Sequence, residues 1–219
     1  MLNELTAYIY LHGFASSPRS SKATYLRDRF AEINLDLKVL DLNQGGFSSL
    51  TLTRQIEQTV AAFPDNQTPI TLIGSSFGGL TSAWIAQTNV RVQNLVLLAP
   101  AFGFPQNWHS RQQPEQIEQW RKSGYLSVYH YGENKQLPLH YKFLQDAENY
   151  PVAGLTRSLP TLIIHGIHDG VVPIQVSRDY AKQHPQVKLV ELNSDHSLNN
   201  AKARIWQEIG QFLHFSLPN

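Results

Sequence analysis

The chain has 219 residues, of which 42% are hydrophobic, and its formal net charge is +1 at pH 7. That length fits one domain with a sizeable core, and the small net charge speaks against a nucleic-acid-binding surface or a polybasic membrane patch. The chain has no cysteine, which excludes disulfides, thiolate catalysis and cysteine metal sites.

The first ten residues contain neither a basic segment nor a small-residue cleavage site, and they lead directly to Leu11-His12-Gly13. This pattern indicates a first strand and not a signal peptide. No apolar run approaches the length of a transmembrane helix. We therefore expect a cytoplasmic protein with no stable membrane association and no nucleic-acid partner.

Short apolar runs alternate with amphipathic stretches over most of the chain. The apolar runs predict strands at 6–11, 37–40, 69–73, 92–98, 161–165 and 187–192. The stretches between and after them predict helices at 20–33, 50–63, 77–87, 174–183 and 198–215. Because strands that alternate with helices form mostly parallel sheets covered on both faces, the sequence predicts an α/β fold with about six strands.

An aromatic-rich stretch from residue 101 to about residue 157 interrupts this alternation. Its pattern predicts a short helix at 114–122, a hairpin of strands at 126–131 and 137–141, and another short helix at 143–149. We interpret the stretch as a lid inserted into a single domain that spans residues 1–219. Its rings are expected to wall an acyl pocket, to form a small core of the lid itself, or to do both.

The pattern Gly74-Ser75-Ser76-Phe77-Gly78 follows the third predicted strand and precedes a predicted helix. A strand, a sharp turn and a helix are the context of a G-x-S-x-G nucleophile elbow, in which the serine stands exposed at the tip. The flanking glycines leave room where the two backbones approach closely. Ser76 is therefore the candidate nucleophile, because the corresponding positions around Ser75 are not glycines. The alternative is a Gly/Ser-rich turn without a chemical role.

An acid and a base follow two later predicted strands. Asp169 lies in the segment 165–173, HGIHDGVVP, and His196 lies in Asn193-Ser194-Asp195-His196-Ser197. Because the carboxyl ends of parallel strands meet at one edge of a sheet, we expect both side chains near Ser76. A serine hydroxyl needs a base to become a nucleophile, and that base needs an orienting acid. The alternatives are a turn residue for Asp169, a surface histidine for His196, and Asp195 as the acid, although an immediate neighbour usually points elsewhere.

The chain resembles the α/β-hydrolase superfamily from end to end, apart from the insertion, and its order of Ser, Asp and His is the order of that superfamily. Residues 10–23, YLHGFASSPRSSKA, and residues 138–147, PLHYKFLQDA, are more specifically similar to the small bacterial esterases of the YqiA type. Fuller members of the superfamily have antiparallel strands before the strand that ends in His-Gly. Those strands are missing here, so we expect a sheet trimmed at that edge.

The resemblance implies a serine hydrolase that needs neither a cofactor nor a metal and cleaves carboxylic esters or thioesters of small to medium acyl groups. Ser76 would attack the carbonyl, His196 would act as the base, and Asp169 would orient His196. The backbone N–H groups of Phe77 and Phe14 would form the oxyanion hole. The same triad would serve a C–C hydrolase, a lyase or an acyltransferase, and the fold alone would serve a non-catalytic small-molecule-binding protein.

Several other polar residues lie near these motifs or in the insertion. His12 is expected to hold its loop by hydrogen bonds, and structural roles are expected for His165 and His168, because no carboxylate-rich or H-E-x-x-H pattern accompanies them. Arg19 and Lys22 lie at a predicted helix start, where they are either solvated or bind an anionic part of a substrate. Solvated or core positions are expected for the three histidines of the insertion, His109, His130 and His140.

Overall fold

The computed structural model describes residues 6–109 and 113–216. The first half of the chain forms β1 (Ala7–Leu11), α1 (Ser21–Glu32), β2 (Leu37–Leu40), α2 (Leu52–Ala61), β3 (Ile70–Ser75), α3 (Phe77–Thr88) and β4 (Val92–Leu98). The middle forms α4 (Gln106–His109), α5 (Pro114–Ser123), β5 (Tyr125–His130), β6 (Lys135–His140) and α6 (Lys142–Ala147). The last part forms β7 (Thr161–Gly166), α7 (Gln175–Gln183), β8 (Val187–Leu192) and α8 (Lys202–Leu213).

The main sheet has six strands in the order β2-β1-β3-β4-β7-β8, and each pair in it is parallel. This confirms the predicted fold class. From β1 the chain crosses to β2 on one side, and from β2 it returns to β3 on the other side of β1. Loops that leave β1 and β3 therefore diverge, and such a switch point opens a crevice at the carboxyl ends of the strands.

Apolar side chains alternate between the two faces of this sheet. In β1, Ile9 belongs to one buried cluster and Tyr10 to the other. The first cluster includes residues of α2, α3 and α7, and the second includes residues of α1 and α8. Both faces are thus covered by helices, because a strand with two apolar faces must be buried on both sides.

Four helices begin later than the sequence pattern predicts: α1 and α7 by one residue, α2 by two and the last helix by four. α1 begins after Ser20, whose side chain accepts a hydrogen bond from the N–H of Ala23 as an N-cap. The last helix begins at Lys202, because the buried Leu198 has a φ of 54°, which is incompatible with a right-handed helix. Among the residues that the structure describes, no helix is both long and apolar enough to cross a membrane.

The segment between β4 and β7, which we call the cap segment (residues 101–157), packs against the edge of the sheet where the candidate residues lie. β5 and β6 pair antiparallel as a hairpin. Trp120 of α5 is buried and donates from its indole N–H to the carbonyl of Leu139 at 2.8 Å. The carboxylate of Asp146 in α6 accepts from the N–H of Thr53 in the first turn of α2 at 2.9 Å, which joins the cap segment to the main body as a helix cap.

Candidate active site

β3 runs into a sharp turn at Ser76, and α3 begins at the next residue. Ser76 has φ 54° and ψ −115°, a conformation that residues with a Cβ seldom adopt and that neighbouring contacts must hold. Its N–H donates to the carbonyl of Leu98 at 2.8 Å, and its carbonyl accepts from the N–H of Ala101 at 3.0 Å. The structure thus has the strand, turn and helix that the sequence pattern predicts.

The elbow depends on close backbone contact at Gly78. A Cβ on Gly78 would lie 2.3 Å from the carbonyl oxygen of Leu11 and 2.5 Å from that of His12. Backbone atoms cannot yield as a flexible side chain can, so α3 would have to move away from β1. We expect Gly78→Ala to lower the free energy of unfolding by about 3 kcal/mol or more.

Urea denaturation of the purified variants measures this effect. Gly170→Ala is the matched control, because a Cβ there would meet no atom within 4 Å. Equal stabilities of the two variants would contradict the steric argument.

Ser76, His196 and Asp169 form a continuous hydrogen-bonded chain. The Oγ of Ser76 lies 3.0 Å from Nε2 of His196, and Nδ1 of His196 lies 2.7 Å from Oδ2 of Asp169. The carboxylate of Asp169 is fully buried, whereas the side chain of His196 is 24% exposed. The structure therefore brings together three residues from the ends of three strands, and Nε2 of His196 faces the hydroxyl that it would deprotonate.

Four donors surround the carboxylate of Asp169. Oδ1 accepts from the N–H groups of Val171 and Val172, both at 2.7 Å, and Oδ2 faces Nε2 of His165 at 3.1 Å as well as His196. Burial alone would raise the pKa of Asp169, but the hydrogen bonds from His165, His196 and Val172 hold that pKa below its ordinary value. The carboxylate is thus kept ionised beside His196.

His165 is a contact of Asp169 that the sequence argument did not identify. It is fully buried, and its Nε2 also lies 3.0 Å from the carbonyl of Val172. Because both neighbours of Nε2 are acceptors, that nitrogen carries the proton. Nδ1 lies 2.7 Å from the Oγ of Ser177 in α7. Nothing local in the sequence pointed to either contact, because His165 lies on β7, Asp169 in the loop after it and Ser177 in α7.

His168, which lies in the same loop as Asp169, and Asp195, the alternative orienting acid, both bond to nearby residues. Nε2 of His168 lies 3.0 Å from Oδ1 of Asn193. Oδ1 of Asp195 accepts from the N–H and the hydroxyl of Ser197 at 2.9 and 2.6 Å, so Asp195 organises the turn that carries His196. Within residues 6–109 and 113–216, no group of three or more histidine or acidic side chains is arranged to hold a metal ion.

Lys22 points towards the turn that carries His196. Its ammonium donates to the carbonyl of Ser197 at 2.6 Å. Burial lowers the pKa of Lys22 to about 8, although the carboxylates of Asp195 and Asp169 act to raise it. Lys22 therefore already has an acceptor inside the protein, whereas Arg19 is exposed. This arrangement favours a structural role of Lys22 over the binding of a substrate anion.

The loop after β1 approaches Ser76 through Gly13. A Cβ on Gly13 would lie 3.3 Å from the Cβ of Ser76. Nδ1 of His12 donates to the carbonyl of Gly13 at 2.9 Å, while its Nε2 accepts from the N–H of Leu42 at 3.1 Å. Burial lowers the pKa of His12, which favours the neutral ring that these two bonds require. His12 therefore holds this loop by hydrogen bonds, as expected.

The hydrogen bond from His12 to the carbonyl of Gly13 also orients the N–H of Phe14. The carbonyl of Gly13 and the N–H of Phe14 belong to one planar trans peptide and point in opposite directions. Phe77, the first residue of α3, has an N–H with no acceptor inside the helix, as at every helix N-terminus. Phe77 directly follows Ser76, and Phe14 directly follows Gly13, the residue that approaches Ser76, so the N–H groups of Phe14 and Phe77 remain the candidate oxyanion donors.

A cavity of about 290 Å³ opens beside Ser76. Apart from Ser76 its lining is apolar and largely aromatic: Phe14, Phe77, Ala101, Phe102, Phe104, Trp108, Phe143, Val171 and Val172. Five of these residues belong to the cap segment and three of the rings, those of Phe14, Phe77 and Phe143, pack on one another with centroids 5.1–6.4 Å apart. The rings thus serve both as pocket wall and as packing core, the combination that the sequence analysis left open.

The histidines of the cap segment lie in different environments from one another. His130 is buried, and its ring lies 4.8 Å from that of Phe47. Nδ1 of His140 accepts from the N–H of Lys142 at 3.0 Å. The side chain of His109 lies outside the part of the chain that is described.

Comparison with known proteins gives one family and a large set of similar folds. Residues 7–214 match the uncharacterised protein family UPF0227. Among solved structures, Est1E from Butyrivibrio proteoclasticus with bound ferulic acid is 22% identical, with a TM-score of 0.81 over 95% of this chain and 88% of that one. Alpha/beta hydrolase domain-containing protein 10 from mouse is 19% identical, with a TM-score of 0.79 over 95% and 89%. The monoacylglycerol lipase of Paleococcus ferrophilus is 13% identical, with a TM-score of 0.74 over 94% of each chain.

Proposed function

The chain belongs to the UPF0227 family and has the fold of the α/β hydrolases, and from this premise we propose that it is a serine hydrolase that cleaves carboxylic esters or thioesters. The observation that carries the proposal is the hydrogen-bonded chain from Ser76 through His196 to Asp169, at 3.0 and 2.7 Å, beside an apolar cavity. Nucleophile, base and orienting acid are the three parts that acyl transfer by a serine requires.

In the proposed reaction, Oγ of Ser76 forms a bond to the carbonyl carbon while its proton passes to Nε2 of His196. The π electrons of the carbonyl move to its oxygen, and the N–H groups of Phe14 and Phe77 donate to that oxygen. When the carbonyl re-forms, the alcohol or thiol leaves with the proton from His196. Water then attacks the acyl-enzyme with the same proton transfers and releases the acid. Asp169 keeps the proton of His196 on Nδ1 throughout.

The cavity defines the proposed acyl group. Its volume of about 290 Å³ and its apolar lining suit a small to medium acyl chain without charge. No charged side chain belongs to the described lining of this cavity. Aromatic acyl groups are included in the proposal, because phenylalanine rings form much of the wall and because Est1E, which has a similar fold, has been solved with ferulic acid bound.

A fluorophosphonate probe tests whether Ser76 is an activated nucleophile, because such a probe reacts with an activated serine whatever the natural substrate. We expect the purified wild-type protein to be labelled and heat-denatured protein to remain unlabelled. Absence of labelling in the folded wild-type protein would favour a non-catalytic binding protein.

A substrate panel then tests the reaction class. We expect the kcat/KM for p-nitrophenyl esters and matched thioesters to be highest for short and medium acyl chains and to fall for long chains, since the cavity limits the acyl length. Steady-state kinetics over such a panel, with amides and aryl-acyl esters included, measures this. Labelling without turnover of any ester or thioester would favour a C–C hydrolase, a lyase or an acyltransferase with the same triad.

A further inference from the structure

The tip of the hairpin formed by β5 and β6 contacts the loop that follows β1. The backbone N–H groups of Tyr131 and Gly132 both donate to the carbonyl of Ala15, at 2.8 and 3.4 Å. Ala15 directly follows Phe14, whose N–H is one of the two proposed oxyanion donors. The cap segment is therefore bonded to the residue next to that donor.

The backbone of Ala15 needs such contacts because it is strained. Its φ is 52°, in the left-handed region that residues with a Cβ rarely occupy. A conformation of this kind persists only where the surrounding structure holds it. Ala15 is only 2% exposed, so protein atoms, and not solvent, surround it.

A second connection between the hairpin and this loop runs through side chains. The amide nitrogen of Asn43 donates to the carbonyl of Ser16 at 2.8 Å, and its Oδ1 lies 3.4 Å from Nε2 of His130. Because Nδ1 of His130 accepts from the N–H of Glu133 at 3.1 Å, the proton of the neutral ring is on Nε2 and is donated to Asn43. The loop is thus held at two consecutive carbonyls, those of Ala15 and Ser16.

We propose that the hairpin tip (residues 130–133) positions the N–H of Phe14 in the oxyanion hole, and that Gly132 is the positioning residue that lets the tip approach the loop. A Cβ on Gly132 would lie 2.7 Å from the Cβ of Ser17 and 3.1 Å from the carbonyl carbon of Ser16. The φ of Gly132 is outside the left-handed region, so an alanine there is crowded by the loop and not strained by its own backbone. This proposal rests on the proposed function.

The test compares Gly132→Ala with Gly154→Ala. Gly154 is the matched control, because its Cβ would lie 2.8 Å from the ring of Trp84, a similar overlap at a place that does not touch the loop after β1. We expect Gly132→Ala to lower kcat by about tenfold or more, up to the 10²–10³-fold fall that complete loss of one oxyanion donor causes. KM should change little, because the contact acts on the transition state. Gly154→Ala should keep the wild-type kcat.

A trifluoromethyl ketone analogue of the best ester provides a readout that a general loss of stability would not change. Oγ of Ser76 forms a bond to the ketone carbon, its proton passes to His196, and the ketone oxygen takes the negative charge in the oxyanion hole. We expect the inhibition constant of Gly132→Ala to rise by the same factor by which kcat falls, since both report binding of a tetrahedral oxyanion.

Asn43→Ala is the second variant, because it removes the side-chain connection without adding an atom to the loop. Its kcat and its affinity for the ketone should fall together, by less than in Gly132→Ala, and this comparison decides the matter if Gly132→Ala does not fold. The proposal would be overturned if Gly132→Ala and Gly154→Ala had equal kcat, or if Gly132→Ala changed KM alone. If Gly132→Ala does not fold, a wild-type kcat in Asn43→Ala would overturn it. Failure of the proposed function is distinct, because it appears in the wild-type protein as absence of both labelling and turnover.

Discussion

Ser76→Ala is expected to lower the kcat of ester hydrolysis by about 10⁴-fold or more and to abolish labelling by a fluorophosphonate. The reason is that Oγ of Ser76, 3.0 Å from Nε2 of His196, is the atom that forms the acyl-enzyme. Ser75→Ala is the matched control, because Ser75 is the adjacent residue and lies at the end of β3. Ser75→Ala should keep most of the activity and the labelling.

His196→Ala should be about as slow as Ser76→Ala, and the double variant should be no slower than either one. Nucleophile and base act as a unit, so their losses do not add. Single-turnover measurements on one fluorogenic ester are suitable for all three variants. A Ser76→Ala protein that hydrolyses the ester at the wild-type rate would show that the activity resides elsewhere.

Asp169→Asn is the second variant with a large expected effect, a fall in kcat of about 10³–10⁴-fold with little change in KM. Both oxygens of the carboxylate accept hydrogen bonds, Oδ2 from His165 and His196 and Oδ1 from Val171 and Val172. In either orientation, the amide nitrogen of asparagine would face a pair of donors. Where that nitrogen replaces Oδ2, His196 loses the acceptor that keeps the proton on its Nδ1; where it replaces Oδ1, His196 keeps an acceptor but loses the negative charge that stabilises the imidazolium.

Asp195→Asn is the control for this prediction, because Asp195 is next to His196 in sequence but bonds to Ser197. We expect it to keep far more activity than Asp169→Asn in the same kinetic assay. The reverse result would identify Asp195 as the orienting acid.

Asp169→Asn should also change how the free energy of unfolding depends on pH. In the folded protein the pKa of Asp169 lies below its ordinary value, so the unfolded chain binds a proton more readily than the folded chain does. The stabilisation by this carboxylate is therefore fully present above about pH 4 and is lost as the pH falls further. Urea denaturation should show the largest stability difference between wild type and Asp169→Asn above that pH, and a smaller one below it. A difference that stayed constant down to strongly acidic pH would contradict the linkage.

Local sequence signals predict the parallel sheet and the elbow. Apolar runs of four to seven residues separated by helical stretches indicate the strands of a parallel sheet. Gly74 and Gly78 indicate the turn around Ser76, because no other residue fits where the backbones meet. The strand ends then place Asp169 and His196 at the same edge of the sheet as Ser76.

Contacts between distant parts of the chain could not be predicted in this way. The bonds from Tyr131 and Gly132 to Ala15, and the one from Lys22 to Ser197, join residues more than a hundred positions apart. A short polar loop has no periodicity, so nothing local indicates its partners. The late start of α8 has the same origin, because Leu198 takes its left-handed conformation while buried among side chains of the sheet and helices.

The sequence by itself determined which residues could act as nucleophile, acid and base, because turn glycines and strand periodicity are properties of short segments. Only the tertiary structure decided the distances of 3.0 and 2.7 Å that join Ser76, His196 and Asp169. It also decided the support of Asp169 by His165 and the placement of the hairpin tip on Ala15. These arrangements depend on how the strands and the cap segment pack, and packing is a property of the whole chain.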